Sequence, residues 1–222
     1  MTTTTDTVDE LLTSGVFEAT PSGLAPSEEF RETVSDRTTA IAEGGGDDAL
    51  ADLPDPPDAL PADADPELLA AYATLRERHP SVSSTQALVT AVLLTSSNPG
   101  QPPASGAPKG FVPVHGEDAV RLVDLCDRCV VYVWRQDCRP CEAIRPNLSE
   151  VFGADPPDGV LALSVYGPDC ATLLDAEYDV VGGPTTLFTL EGTVDARFVG
   201  VAETDALERE IDTLRERSVS SS

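Results

Sequence analysis

The chain has 222 residues, enough for two modest domains, and a formal charge of −25 from 14 Lys and Arg against 39 Asp and Glu. Such a surface repels nucleic-acid phosphates and anionic membranes at ordinary salt, so neither is an expected partner. No run is long and apolar enough to span a bilayer. The opening MTTTTDTVDELL has neither a basic n-region nor an apolar h-region. The expectation is a cytoplasmic, reducing compartment, where five cysteines are catalytic, metal-binding or buried rather than a disulfide scaffold.

Residues 1–97 read as a small all-helical domain. Met1 to Thr5 is a polar tail, and Asp6 caps a short helix through Leu12. Gly15, Pro21, Gly23 and Pro26 punctuate the next stretch. Ser27, with Glu28 and Glu29 in the first turn, starts a clearer helix carrying Phe30, Val34 and Ile41, which ends at Gly44–Gly46. Asp52 to Asp65 is an irregular Pro- and Asp-rich connection. Asp65 then caps a helix with Pro66 at its first position, an apolar stripe of Leu68, Leu69, Tyr72 and Leu75, and Arg76, Arg78 and His79 at its negative end. Those basic residues satisfy the helix end or form a contact patch. Ser84 or Thr85 caps a last helix through Leu94. No catalytic constellation is evident here, and residues 98–110 read as a Pro/Gly-rich linker.

Residues 111–217 have a different rhythm. Phe111–Val114 is a short strand, placed at an edge by Pro113. A helix follows with Ala119, Val120, Val123 and Leu125 facing inward. Val130 to Val133 is an uninterrupted β-branched and aromatic run, suited to a strand covered on both faces. Cys138-Arg139-Pro140-Cys141 then opens a helix. Val160–Val165 is a second core strand, Pro168–Asp175 a short helix, and Thr185–Thr189 with Val194–Val199 a hairpin around Glu191-Gly192. Thr204 or Asp205 caps a final helix using Leu207, Ile211 and Leu214, and 218–222 is a disordered tail. The order predicts an α/β fold, a central mixed sheet with helices on both faces.

The two thiols at 138 and 141 form a chemical device. A thiol at a helix N-terminus faces unpaired N–H groups and the positive end of the dipole. Both favour thiolate, the form that attacks disulfides. Three residues on, the second sulfur comes round to the same side. One attacks and the other resolves the mixed disulfide.

This segment resembles the active site of the thioredoxin family. Trp134 stands where that family usually has its active-site tryptophan, Cys138, Pro140 and Cys141 match Cys-x-Pro-Cys, and Pro146 matches the proline inside the active-site helix. Gly183-Pro184-Thr185 matches the cis-proline loop, and the segment after it resembles the closing hairpin. The resemblance spans about half the chain and implies a thiol–disulfide oxidoreductase that reduces protein disulfides. Cys138 would be the nucleophile and Cys141 the resolving thiol. A groove of Trp134, Gly183, Pro184 and Thr185, bordered by Arg139 and Pro140, would dock the substrate. No cofactor is implied beyond the redox-active pair, and a disulfide reductase would supply electrons. The near absence of lysine among so many acids resembles a halophilic archaeal protein.

Several residues depart from that pattern. Tyr132 stands where the family often has a buried Asp, Asp137 where a second tryptophan is common, Glu142 where lysine is frequent, and Gly183 where a bulky apolar residue is usual. Tyr132, Asp137 and Gly183 favour an alternative, a non-catalytic interaction module whose specificity comes from the N-terminal helices. A second Cys126-Asp127-Arg128-Cys129 motif invites a four-thiolate zinc site. The intervening strand would hold the two pairs roughly 17 Å apart, which opposes it. Cys126 and Cys129 are then buried hydrophobes or a secondary redox pair. Cys170 belongs at the same sheet end as Cys138, as a third active-site thiol or an inert loop cysteine. His115 has no nearby partner in sequence and His79 precedes Pro80 at a helix end, so metal ligation by them is not expected.

Overall fold

The computed structural model describes residues 16–20, 23–44, 64–97, 101–153, 157 and 159–217. The tail at Met1–Thr5, the helix at Asp6–Leu12, most of the connection from Asp52, residues 98–100 of the linker and the tail at 218–222 lie outside them. The chain divides into two compact units, Met1–Ser97 and Asn98–Ser222.

The first unit contains three described helices, α1 (Glu28–Gly44), α2 (Pro66–Arg78) and α3 (Ser84–Leu94). It is not wholly helical. An antiparallel pair, β1 (Phe17–Thr20) and β2 (Gly23–Pro26), precedes α1. Strands of four residues, one beginning with Gly and ending with Pro, are too short and broken to show a period of two. Ser27 caps α1 by accepting from Phe30 N at 3.2 Å, and Asp65 caps α2 by accepting from Glu67 N at 2.8 Å. For α3 the cap is Ser83, one residue before the expected pair, in a reciprocal capping box with Gln86. Helix α2 is buried on all sides from Leu68 through Arg76, rather than along one stripe. Its basic end is no surface patch. Arg76 and His79 are buried, the Arg76 guanidinium donates to Val82 O, and Arg78 reaches Thr33 at 2.9 Å and Glu29 at 3.3 Å.

In the second unit five strands form one sheet: β3 (Val112–Val114), β4 (Arg128–Trp134), β5 (Leu161–Tyr166), β6 (Thr185–Leu190) and β7 (Thr193–Val199), in the order β3-β5-β4-β6-β7. β3, β5 and β4 run parallel, and β6 and β7 close the sheet antiparallel. β3 takes the edge, as Pro113 requires. The central position of β4 explains its apolar run, since Cys129 through Trp134 are all buried. The turn between β6 and β7 uses Glu191 and Gly192, both at positive φ (48° and 77°), the geometry of a two-residue hairpin.

Four helices complete the unit: α4 (Gly116–Leu125), α5 (Arg139–Phe152), α6 (Ala171–Tyr178) and α7 (Thr204–Glu216). A short 3-10 turn, Gly167–Asp169, leads into α6. Helices α5 and α7 cover the face carrying Val130, Tyr132 and Phe188, with Ile144, Leu148, Phe152, Leu207, Ile211 and Leu214 buried there. On α4 the buried face is Ala119, Leu122 and Val123, with Val120 and Leu125 only half-buried. The i, i+3, i+4 spacing from Ala119 sets that face. Neither Thr204 nor Asp205 caps α7; Glu203 is its N-cap and makes no side-chain cap bond. No described helix is long and apolar enough to cross a membrane.

Residues 101–110 differ from the expected linker. They fold onto the second unit as a strap. Ala107 N bonds Ala104 O at 3.0 Å and Phe111 N bonds Pro108 O at 3.2 Å. Ser105 O accepts from Arg145 Nη1 at 3.1 Å, and Lys109 N donates to Ser149 Oγ at 2.9 Å. Gly106 and Pro108 are buried. Small residues and prolines suit a flexible connector by composition, yet they also let backbone lie close against a surface.

Candidate active site

The site forms where β4 hands over to α5. Asp137 takes a left-handed φ of 50°, uncommon for a residue with a side chain, and Cys138 follows as the N-cap of α5. Pro140 sits in the first turn, where no N–H is missed. Cys138 and Cys141 are joined by a disulfide, with Cα atoms 5.2 Å apart. The Cys138 sulfur also accepts from Cys141 N at 3.2 Å, so one orphan donor of the helix N-terminus is aimed at it. Pro146 lies within α5 and deletes one intrahelical bond.

Across from the pair, the Gly183–Pro184 peptide bond is cis. The Gly183 carbonyl oxygen lies 3.8 Å from the Cys138 sulfur. A Cβ at Gly183 would stand 3.0 Å from Val133 O and 3.3 Å from Trp134 Cα, so this loop approaches β4 too closely for a bulky residue. Pro184 and Thr185 are buried, and the Thr185 hydroxyl donates to Gly182 O at 2.6 Å. Thr185 is paired with Val133 of β4 and Val199 of β7, so it anchors the loop to the sheet. Arg139 and Pro140 are exposed at the rim. Cys138 and Cys141 keep only 3% and 5% of their surface, leaving an edge rather than an open face.

Trp134 is not an open platform. It is 3% exposed, packs on Tyr166 with centroids 4.9 Å apart, and is overlaid by Gly106. A Cβ at Gly106 would fall 2.2 Å from Trp134 Cε3. The groove expected from Trp134, Gly183, Pro184 and Thr185 is thus closed on its tryptophan side. A cavity of about 250 Å³ remains there, walled by Ser105, Gly106, Tyr132, Trp134, Cys141 and Arg145 among others.

Tyr132 lies beneath the pair. Its hydroxyl donates to Cys141 O at 3.1 Å. Burial pushes that hydroxyl up to about 12, against a smaller downward pull from Arg145. At neutral pH it holds its proton and serves as a brace, not a base.

The other three cysteines are free thiols. Cys126 and Cys129 are free and buried at the opposite end of β4, where the Cys129 thiol approaches Leu122 O at 3.7 Å. Its interaction with the Cys126 side chain, and then burial, push it well above the ordinary 9.0. Cys170 follows β5, donates to Tyr166 O at 3.6 Å, and lies against Gly116 at the start of α4. Burial, helped by Asp169, raises it to about 11, so it remains a thiol. Among the described residues no three His, Cys, Asp or Glu side chains are grouped to hold a metal.

Three exposed valines near the site are not evident from sequence. Val181 (92%), Val199 (77%) and Val201 (49%) surround the proline loop. Val199 pairs with Thr185 and Gly200 N bonds Pro184 O at 2.9 Å. Val199 continues an ordinary strand pattern, and only its pairing brings it beside Pro184.

A mixed sheet of this order, with a disulfide at the N-terminus of the helix after the central strand and a cis-proline loop facing it, is a thioredoxin-like fold. No family model matches the sequence, and no curated protein matches it. Similar solved structures include a mutant thioredoxin from Halobacterium salinarum NRC-1 (20% identity, covering 51% of this chain and 95% of that one, TM-score 0.41). Others are mitochondrial thioredoxin 3 of Saccharomyces cerevisiae (22% identity, 45% and 90%, 0.39) and Malassezia sympodialis thioredoxin (23%, 46% and 94%, 0.39). At these identities no substrate or partner carries over.

Proposed function

We propose that the second unit is a thiol–disulfide oxidoreductase that reduces protein disulfides through Cys138 and Cys141. The observation that supports this reading is the placement of the Cys138–Cys141 disulfide at the N-terminus of α5, 3.8 Å from the Gly183 carbonyl of the cis-proline loop. In the reduced pair, Cys138 thiolate attacks one sulfur of the substrate. A Cys138–substrate bond forms and the other substrate sulfur leaves, taking up a proton. Cys141, once deprotonated, attacks the Cys138 sulfur and expels the second substrate thiol. The substrate gains two electrons and the Cys138–Cys141 pair loses them. A disulfide reductase then returns them.

The helix N-terminus favours the attacking thiolate. Gly183 offers backbone to an extended substrate chain, and Thr185 fixes the loop to the sheet beside it. Arg139, Pro140 and the exposed valines border its path. Trp134 acts from beneath, holding the strand end on which the pair turns. The protein's own dithiol supplies the chemistry without a further cofactor, in a cytoplasmic setting.

A second reading, a non-catalytic interaction module, draws on Tyr132, whose protonated hydroxyl offers the resolving thiol no base. One assay separates the two. With dithiothreitol as donor, the wild-type chain should accelerate insulin disulfide reduction and Cys138→Ser should not. Equal activity of the two would end the redox reading. A Cys141→Ser variant should accumulate mixed disulfides with its substrates.

A further inference from the structure

The strap over Trp134 contributes no strand to the sheet and no sulfur to the disulfide, yet it is anchored at both ends. Arg145 Nη1 grips Ser105 O, and Ser149 Oγ holds Lys109 N. Between these anchors Gly106 touches the indole. Its φ lies outside the left-handed region, so glycine is required there by space and not by conformation. Even a methyl group would stand 2.2 to 2.5 Å from three ring atoms, closer than packing allows. Among the described residues the other side of the pair has no such cover: beyond Gly183 lie the exposed Gly182 and the three exposed valines.

We propose that the strap determines substrate specificity, with Gly106 as the residue that sets it. Lying on Trp134, it closes the tryptophan side of the Cys138–Cys141 pair, so that a substrate disulfide enters only across the Gly183–Pro184 side on a narrow extended segment. This rests on the redox reading above. The cavity beside the strap is lined by Cys141 together with Ser105, Gly106 and Arg145, and its volume of about 250 Å³ is that of a small molecule rather than a polypeptide segment. Bulky disulfide proteins that would need to rest on the indole are therefore refused, while small disulfides are not.

The test uses the full chain in a Cys138→Ser background, so that Cys141 is a free thiol. Its alkylation by iodoacetamide and by a maleimide carrying a long polyethylene-glycol chain is followed by peptide mass spectrometry. Adding Gly106→Ala should lift the strap and raise the bulky-to-small rate ratio at Cys141 about fivefold, the scale of a modest loss of packing. Trp134, the sole tryptophan, should shift its emission to the red. An unchanged ratio overturns the proposal, whether or not the emission moves. Should Gly106→Ala fail to fold, Arg145→Ala with Ser149→Ala loosens the anchors without adding bulk, and the same ratio decides. With dithiothreitol as donor, reduction of a short disulfide-linked peptide by the wild-type chain separates the two claims. A wild type inactive on that peptide with a ratio that still rises sinks the redox reading alone, and an active wild type with a constant ratio sinks the strap alone.

Discussion

The two Cys-x-x-Cys motifs of this chain flank one strand, and the fold gives them opposite surroundings. Cys126 is the C-cap of α4, at the carbonyl end of a helix. Cys129, already inside β4, points its thiol at Leu122 O and is fully buried. Cys138 is the N-cap of α5, at the amide end of a helix, and its sulfur receives an N–H. Carbonyl oxygens and the negative end of a dipole favour a protonated thiol, whereas amides and the positive end favour a thiolate. Identical spacing thus gives one pair a buried setting that faces carbonyls and the other a setting at a helix N-terminus that faces an amide. Helix polarity decides between them.

The largest effect that would break this contrast lies in activity. Cys138→Ser should lower insulin reduction on the order of a thousandfold, the scale of losing a nucleophile. Cys126→Ala with Cys129→Ala should keep it within about twofold, since neither contacts the site. Comparable losses in both would erase the distinction. Stability should divide the other way. Cys129→Ser puts a shorter, more polar group in a fully buried site packed for sulfur, and should cost about 1–3 kcal/mol in urea unfolding. Cys126→Ser, at the edge of burial, should cost less than about 1 kcal/mol. If Cys126→Ser proves the costlier change, the packing account of the pair is wrong.

The smallest effect is pH dependence. Cys129 and Cys170 are raised above the ordinary 9.0, Cys170 to about 11, and Tyr132 is raised from 10.0 to about 12. The folded chain holds these protons more tightly than the unfolded chain does. The stability this confers is full below pH 9 and is lost as pH climbs through the raised values. Urea midpoints should therefore fall from pH 9 to 11, and Cys129→Ala should flatten part of that slope. A midpoint that rises over this range would contradict the assigned directions.

Much of the second unit is legible in the sequence because local signals agree. The β-branched run at Val130–Val133, the Cys-Arg-Pro-Cys opening of a helix and the Glu191-Gly192 turn each name one structure. The strap is not legible. Residues 101–110 have a linker's composition, and nothing local announces that Gly106 must fit an indole. The burial of Trp134 is hidden for the same reason, since its cover comes from about thirty residues earlier in the chain, a separation that only tertiary contact bridges. The three valines beside Pro184 likewise depend on strand pairing. In the first unit the β1–β2 pair is too short for periodicity, and the inward turn of Arg76 and His79 follows from burial on every side of α2 rather than from charge pattern.

The most direct measurement is site-resolved labelling of the fully reduced chain with limiting iodoacetamide at pH 7. Cys138 should be modified first, roughly a hundredfold faster than Cys129, which must await local opening. Labelling of Cys126, Cys129 or Cys170 ahead of Cys138 would contradict the assignment of the redox centre.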